Sequence, residues 1–287
     1  MISWTLQTID IPTSDGFAVR GDLYLPSGCA PSGIVILCHG FKGYRNWGFF
    51  PYLGGRLAAA GIGALSIDFS FSGTIDGAVV RPDLFRRNTL KREHEDLALV
   101  LRSLRDNGLG GRLGEGLPVG LFGHSRGGVS AFLCALEEDR VRALCTWATP
   151  DHPDHFTARQ KARWRERGEY DFADAGDGRR LALASGFLDD LEKNHDVYDL
   201  RRRSERLRVP HLIVHGQADI VVRADRARLL HEAEGGLREK KIVILSTGHA
   251  FGVTKSDRAP VAEPPRPLVE ASDATVDWFQ RFLRKGD

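Results

Sequence analysis

Along the first third of the chain the apolar and polar positions change rhythm. Thr5 to Ile11 and Ala18 to Leu25 alternate, which predicts two half-buried antiparallel strands joined by a turn at Ser14-Asp15-Gly16. Ile34-Val35-Ile36-Leu37-Cys38 is then an unbroken apolar run, the pattern of a strand buried on both faces of a parallel sheet. From there short apolar runs alternate with stretches of helical spacing. Strands are predicted at Gly63 to Asp68, Leu117 to Gly123, Val141 to Trp147, Pro210 to His215 and Lys241 to Leu245. A helix from about Pro51 has proline in its first turn and Gly61 as its stop. A second, capped by Thr89, carries Leu97, Val100, Leu101 and Leu104 on one face and ends at Asn107-Gly108. Further helices are predicted from Ser125 to about Leu136, from about Arg223 to Ala233, and from Ala271 to Leu283.

Strands alternating with helices predict a mostly parallel central sheet with helices on both faces, made mixed by the two leading strands. One stretch breaks the rhythm. From about Pro150 to Arg206 the sequence is charged and helical in character, with no good buried strand. Lying between two sheet strands, it predicts a helical cap, 150–206, inserted into a single domain that spans 1–287. Such an insertion would sit over the carboxyl ends of the strands, where open α/β sheets bind ligands. The proline-rich, polar loop Thr254 to Pro267 reads as surface. No internal repeat or low-complexity tract interrupts the pattern.

The chain has 287 residues and a formal net charge of +2, too near neutral to point to nucleic acid or a membrane surface as partner. The amino-terminal residues lack a basic segment followed by a long apolar run, so no signal peptide is expected. The longest strongly apolar run is Ile34 to Cys38, far short of a bilayer span. Cys29, Cys38, Cys134 and Cys145 are scattered without a CxxC pair, which suggests a reduced, cytoplasmic protein and leaves a disulfide open. Homo-oligomerisation is left open too.

Candidate chemistry begins at Gly123-His124-Ser125-Arg126-Gly127, a G-x-S-x-G pattern. The pattern alone is weak, but here it follows an apolar strand and opens a helix, the setting in which such a turn projects a nucleophilic serine. The helix amino terminus adds partial positive charge where an oxyanion would develop. A tetrahedral intermediate needs at least two donors. The backbone N–H of Arg126 is one candidate. The N–H of Phe41, in His39-Gly40-Phe41 after the first buried strand, is the other. The His39 side chain is expected to be structural, hydrogen-bonding under that loop.

In this chain order the acid follows the serine and the histidine follows the acid. Asp219, just past the strand Pro210 to His215, is the candidate acid, with Asp189 and Asp190 as runners-up inside the insertion. His249 follows the last strand and has no histidine downstream, so it is the candidate base. His215 reads as a strand-end residue and His231 as a helix-surface residue. Asp151-His152-Pro153-Asp154-His155 has metal-binding residue types, but its proline argues against one helical face, and no metal is expected. The basic run Arg159 to Arg167 reads as a solvated helix face rather than a steering surface. Trp147, Trp164, Tyr170, Phe172 and Phe187 could line an apolar pocket, some of them being core instead. No dinucleotide fingerprint or phosphate loop is present, and no cofactor is implied.

Together, His39-Gly-Phe-Lys-Gly43, Gly123-His-Ser-Arg-Gly-Gly128, His215-Gly-Gln-Ala-Asp219 and Gly248-His-Ala-Phe251 resemble the α/β-hydrolase superfamily. The resemblance runs from about Thr8 to Leu283 and is closest to small esterases of the cinnamoyl-esterase and dienelactone-hydrolase-like sort. It implies the α/β-hydrolase fold, a cap after Pro150 and a carboxylesterase acting on a small-molecule ester. Dienelactone hydrolases proper use a cysteine nucleophile where this chain has Ser125. The same triad would serve an amide or peptide hydrolase, a C–C bond hydrolase or an acyltransferase. A non-catalytic binding protein on this fold is the remaining alternative.

Overall fold

The two alternating segments at the start of the chain pair as antiparallel strands, β1 (Trp4–Pro12) and β2 (Ala18–Pro26), in register from Trp4 opposite Pro26 to Pro12 opposite Ala18. A computed structural model describes residues 3–75, 79–172, 181–237, 239–254 and 263–284. Most of the predicted surface loop, residues 255–262, lies outside the described residues.

The continuous apolar runs become the buried centre of the sheet. β3 (Ile34–Cys38) and β4 (Gly63–Asp68) are buried at every position, as is β7 (Val119–His124). β8 (Val141–Trp147), β11 (His211–Gly216) and β12 (Lys240–Leu245) complete an eight-stranded sheet of order β1-β2-β4-β3-β7-β8-β11-β12. Pairings from β4 to β12 are parallel, and those of β2 with β1 and β4 are antiparallel. Two short strands, β5 (Thr74–Ile75) and β6 (Val79–Val80), form a separate pair.

Side-chain alternation feeds two cores. In β3, Ile34, Ile36 and Cys38 join the core on one face, while Val35 and Leu37 join that on the other. The first face is covered by α3 (Leu90–Gly111), α4 (Arg126–Glu137) and α9 (Ala224–Ala233), through Leu97, Val100, Phe132 and Leu230 among others. The second is covered by α1 (Phe50–Ala59) and α10 (Arg266–Phe282), through Leu53, Leu57, Ala271 and Phe279. A short helix, α2 (Pro82–Arg86), precedes α3. Thr89 caps α3 as anticipated, accepting a 3.0 Å hydrogen bond from the Arg92 amide. Right-handed geometry ends at Asn107, and Gly108 turns at φ 58°. The last helix starts earlier than its apolar spacing indicates, at Arg266, because Pro267 suits a first helical turn.

The stretch from Pro150 to Arg206 departs from expectation in one respect. It contains helices α5 (Ala158–Arg167), α6 (Gly186–Lys193), α7 (His195–Tyr198) and α8 (Leu200–Arg203), but also an antiparallel pair, β9 (Glu169–Phe172) with β10 (Leu181–Ala184). Leu181, Ala182 and Leu183 of β10 are buried, so a good buried strand exists here after all. Leu-Ala-Leu-Ala favours helix by intrinsic propensity, and tertiary burial overrides that preference. Trp164 anchors α5 beneath the pair, its indole N–H donating 2.9 Å to the Leu183 carbonyl. The other residues of the basic run are exposed or half-buried, so α5 turns its arginines to solvent. Cys38, Cys134 and Cys145 are buried, Cys29 is exposed, and all four are free thiols.

Candidate active site

β7 delivers Ser125 onto a turn that an ordinary residue resists. Ser125 has φ 52° and ψ −123°, a backbone conformation that side chains disfavour and that persists only where the surroundings over-determine it. Its amide donates 2.8 Å to the Trp147 carbonyl at the end of β8, and its carbonyl accepts 3.0 Å from Gly128 N. The flanking glycine is required by contact. A Cβ on Gly127 would lie 2.3 Å from the His39 carbonyl oxygen and 2.5 Å from that of Cys38. α4 therefore starts directly against the end of β3, and its amino terminus is brought to the serine.

The loop after β3 reaches the same point. A Cβ on Gly40 would lie 2.9 Å from the Ser125 Cβ, so the backbone leading into Phe41 passes beside the serine. His39 holds this loop from beneath. Its Nε2 accepts from the Phe69 amide at 3.4 Å, which leaves Nδ1–H to donate 2.8 Å to the Gly40 carbonyl. Burial lowers the His39 pKa to about 4, so the ring stays neutral and structural. Arg45, farther along the loop, is buried between Asp22 and Asp68, and its own amide donates 2.6 Å to Asp68.

Asp219 and His249 meet from adjacent strand ends. β11 and β12 run parallel, so the loops after them emerge side by side. The His249 Nδ1 donates 2.7 Å to Asp219 Oδ2. Asp219 Oδ1 accepts from the amides of Val221 and Val222 at 2.8 and 2.9 Å. Burial by itself raises the Asp219 pKa, but hydrogen bonds from His215 and His249 outweigh it and hold the carboxyl well below the usual carboxylate range. With Nδ1–H committed to Asp219, the His249 Nε2 is left as an acceptor. No Ser125–His249 hydrogen bond is formed among the described residues.

Two further histidines, not singled out for this site by the pattern, support it. His124, next to Ser125, places its Nε2 3.0 Å from the His249 carbonyl, and the two rings lie 4.8 Å apart. The serine turn is thus fastened to the histidine loop. Burial, with His249 nearby, lowers the His124 pKa to about 3, so it donates as a neutral ring. His215, fully buried at the end of β11, donates Nε2–H 2.8 Å to the Val222 carbonyl and lies 3.3 Å from Asp219 Oδ2. The only signal available in the sequence was their place in the motifs, one residue before Ser125 and four before Asp219. The runners-up for the acid lie elsewhere. Asp190 is bound to the Lys91 amide and the Tyr198 hydroxyl, and Asp189 pairs with Arg165.

Ser125 opens onto a cavity of about 450 Å³. One wall is aromatic and aliphatic, formed by Phe41, Phe156, Phe172, Leu183 and Phe187. Another is polar, formed by Asp151 to His155 and by Arg223 and Arg226. Of the aromatic residues proposed for a pocket, Phe172 and Phe187 line it. Trp147 lies in the sheet core, and Trp164 and Tyr170 pack behind the wall. Phe41 and Phe156 join the wall only because the tertiary fold brings them there. The side chains of this run have different partners: Asp154 pairs with Lys161, His152 accepts from the Asp154 amide and lies 3.3 Å from the His195 carbonyl, and His155 lies 3.0 Å from the Pro153 carbonyl. No group of three or more metal-ligating side chains forms among the described residues. No helix among them is long and apolar enough to cross a membrane.

A family model described as "Alpha/beta hydrolase family" matches residues 35–284. No curated protein matches the chain. Many solved structures resemble it. The esterase domain of a Rhodothermus marinus protein is 20% identical, with a TM-score of 0.65, over 97% of this chain and 99% of that one. A dienelactone hydrolase from Anabaena variabilis is 18% identical, with a TM-score of 0.60, over 98% and 99%. Est1E from Butyrivibrio proteoclasticus is 19% identical, with a TM-score of 0.66, over 96% and 98%. At these identities the likeness is one of fold.

Proposed function

Because the chain belongs to the alpha/beta hydrolase family, we propose that it is a serine hydrolase that cleaves a carboxylic ester of a small molecule through an acyl-enzyme. The observation that carries this reading is the Asp219–His249 hydrogen bond, 2.7 Å, formed beside a serine held at φ 52°.

Ser125 Oγ attacks the ester carbonyl while His249 Nε2 takes its proton. Asp219 keeps the imidazole in the tautomer that accepts and stabilises the imidazolium that forms. The amides of Phe41 and Arg126 receive the developing oxyanion. Arg126 is the first residue of α4, where helix amides have no intrahelical acceptor, and Gly40 brings the Phe41 backbone to the serine. His249 returns its proton to the leaving alcohol. Water then attacks the acyl-enzyme with His249 again as base, and the second tetrahedral intermediate collapses to release the carboxylic acid as Ser125 Oγ takes the proton back from His249. Each step uses only these residues and water.

In this reading residues 150–206 act as a cap over the site, and the aromatic wall receives the apolar side of the ester. One of the similar structures is described as Est1E with ferulic acid bound, and the rings of Phe41, Phe156, Phe172 and Phe187 would suit an aryl acyl group equally.

The test is hydrolysis of p-nitrophenyl esters from acetate to decanoate by the wild type and Ser125→Ala. Turnover by the wild type that collapses in the variant supports the reading, and the chain-length profile sizes the cavity. A folded wild type inert on every ester overturns it. Preference for a matched peptide would indicate an amide hydrolase, preference for an acceptor alcohol over water an acyltransferase, and turnover only of a C–C substrate a C–C hydrolase. Binding without turnover of any of these would indicate a receptor.

A further inference from the structure

The two residues proposed to supply the oxyanion amides are far apart in sequence, yet their side chains touch. The Arg126 guanidinium lies over the Phe41 ring, 4.5 Å from its centroid, and 5.5 Å from that of Phe187 in the inserted segment. Guanidinium over an aromatic face is attractive, and more so where water is excluded. The Arg126 side chain is only 11% exposed.

What holds the guanidinium there is Glu93, in the first turn of α3. Its carboxylate is buried and accepts from Arg126 Nη2, and its Oε1 also accepts 2.8 Å from Asn88 Nδ2. A buried carboxylate deprived of its cation is strongly unfavourable, so this pair resists separation. Neither residue takes part in proton transfer, and the Arg126 amide alone would serve the oxyanion. The side chain's pairing with Glu93 therefore has no role in the reaction as described above.

Resting on the serine-hydrolase reading, we propose that Glu93 is a positioning residue for the oxyanion hole. It anchors the Arg126 guanidinium, which clamps Phe41 and so fixes the separation of the two amide donors. Glycine contacts set how closely the loop after β3 approaches Ser125, and His39 holds the Gly40 carbonyl from beneath. The clamp adds a tie on the Phe41 side chain itself, one residue farther on. Its contact with Phe187 extends the same tie to the aromatic wall of the cavity. An oxyanion hole acts through donors already in place when charge develops, so a loosened clamp weakens transition-state binding and leaves ground-state binding intact.

The experiment compares wild type, Glu93→Gln and the paired variant Arg126→Met/Glu93→Gln on one p-nitrophenyl ester. For each protein, the affinity of an alkyl boronic acid that forms a tetrahedral adduct on Ser125 is measured alongside. Glu93→Gln is expected to lower kcat by about ten- to a hundredfold, with KM within about twofold, and to weaken the boronic acid by the same factor as kcat. The paired variant leaves no unpaired buried charge, so it folds even if Glu93→Gln does not, and it should show the same split. Phe41→Leu, which keeps the amide and removes the ring, should lower kcat in the wild type and add little in the paired variant. Folded variants whose kcat and boronic-acid affinity match the wild type overturn the clamp and leave the hydrolase reading standing. So does a change confined to KM or to melting temperature. A wild type that neither turns over esters nor binds the boronic acid overturns the hydrolase reading, and the clamp with it.

Discussion

The serine turn and the segment from Pro150 to Arg206 are built on opposite principles. At the turn, main chain packs on main chain. Gly127 leaves no space for a methyl group, Ser125 is held in a disfavoured conformation, and backbone hydrogen bonds tie it to Trp147 and Gly128. Among the described residues of 150–206, beyond the β9–β10 pair, packing is mainly by side chains: Trp164 stacks on Phe187, with Phe156, Tyr170 and Phe172 around it, under a charged outer surface. Main-chain contacts admit almost no substitution, whereas a cluster of rings can be recut without losing the framework. The difference separates two tasks. On the proposed reading, the first region would govern whether an ester carbonyl reacts, and the second which ester reaches it.

The contrast predicts a graded series of effects. Ser125→Ala should lower kcat by about 10⁴–10⁶-fold with little change in melting temperature. A residual rate above one per cent of wild type would place the nucleophile elsewhere. Gly127→Ala drives a methyl group into two backbone carbonyls and should cost about 3 kcal/mol or more, lowering Tm by roughly 6–12 °C. An alanine variant that melts with the wild type would show that the turn yields more readily than its contacts indicate.

A smaller effect is read against pH. His124 titrates near 3 in the folded protein, below the 6.5 of an unperturbed histidine. Between those values the unfolded chain binds a proton that the folded chain refuses, so this contribution to stability is lost as pH falls below 6.5. Relative to His124→Gln, the wild type should lose about 1.4 kcal/mol per pH unit between pH 6 and 4. The difference in urea midpoint across that range is the measurement, and a constant difference would show that His124 is not held neutral by burial.

In the inserted segment, Phe156→Ala should raise KM for apolar esters by about tenfold, with kcat within about threefold. A fall in kcat alone would mean that the ring cluster also shapes the reacting geometry. The smallest effect belongs to the outer face of α5. Arg159→Gln with Arg163→Gln should alter stability by no more than about 0.5 kcal/mol and leave kcat/KM for neutral and acidic esters alike. A selective loss on acidic esters would make that face a steering surface.

All eight strands of the main sheet were legible in the sequence, because residues buried on both faces leave continuous apolar runs and half-buried ones leave alternation. β10 was not, since four residues of Leu and Ala carry no strand signature of their own. Ser125, Asp219 and His249 were each picked out as candidates from the strand end that precedes them. Their shared position is where the structure places the strand ends, and the direct contact it adds is that of Asp219 with His249. The histidines behind them were visible only as letters. His124 owes its role to a distance that no spacing encodes, because its partner, the His249 carbonyl, comes from a different loop, whereas His215 meets Asp219 and Val222 in the loop that follows its own strand.

The sequence by itself determined which segments could be buried on both faces, where a sharp strand–helix turn could project a serine, and the chain order of the candidate serine, aspartate and histidine. These follow from local periodicity and from residues such as glycine whose steric demands are local. Only the tertiary structure decided that Phe41 and Phe156 would share a wall, that Glu93 would lie behind Arg126, and that His124 would donate to His249. Those outcomes depend on how helices and loops from distant parts of the chain settle on the sheet, and long-range packing leaves no periodic trace in the segments it joins.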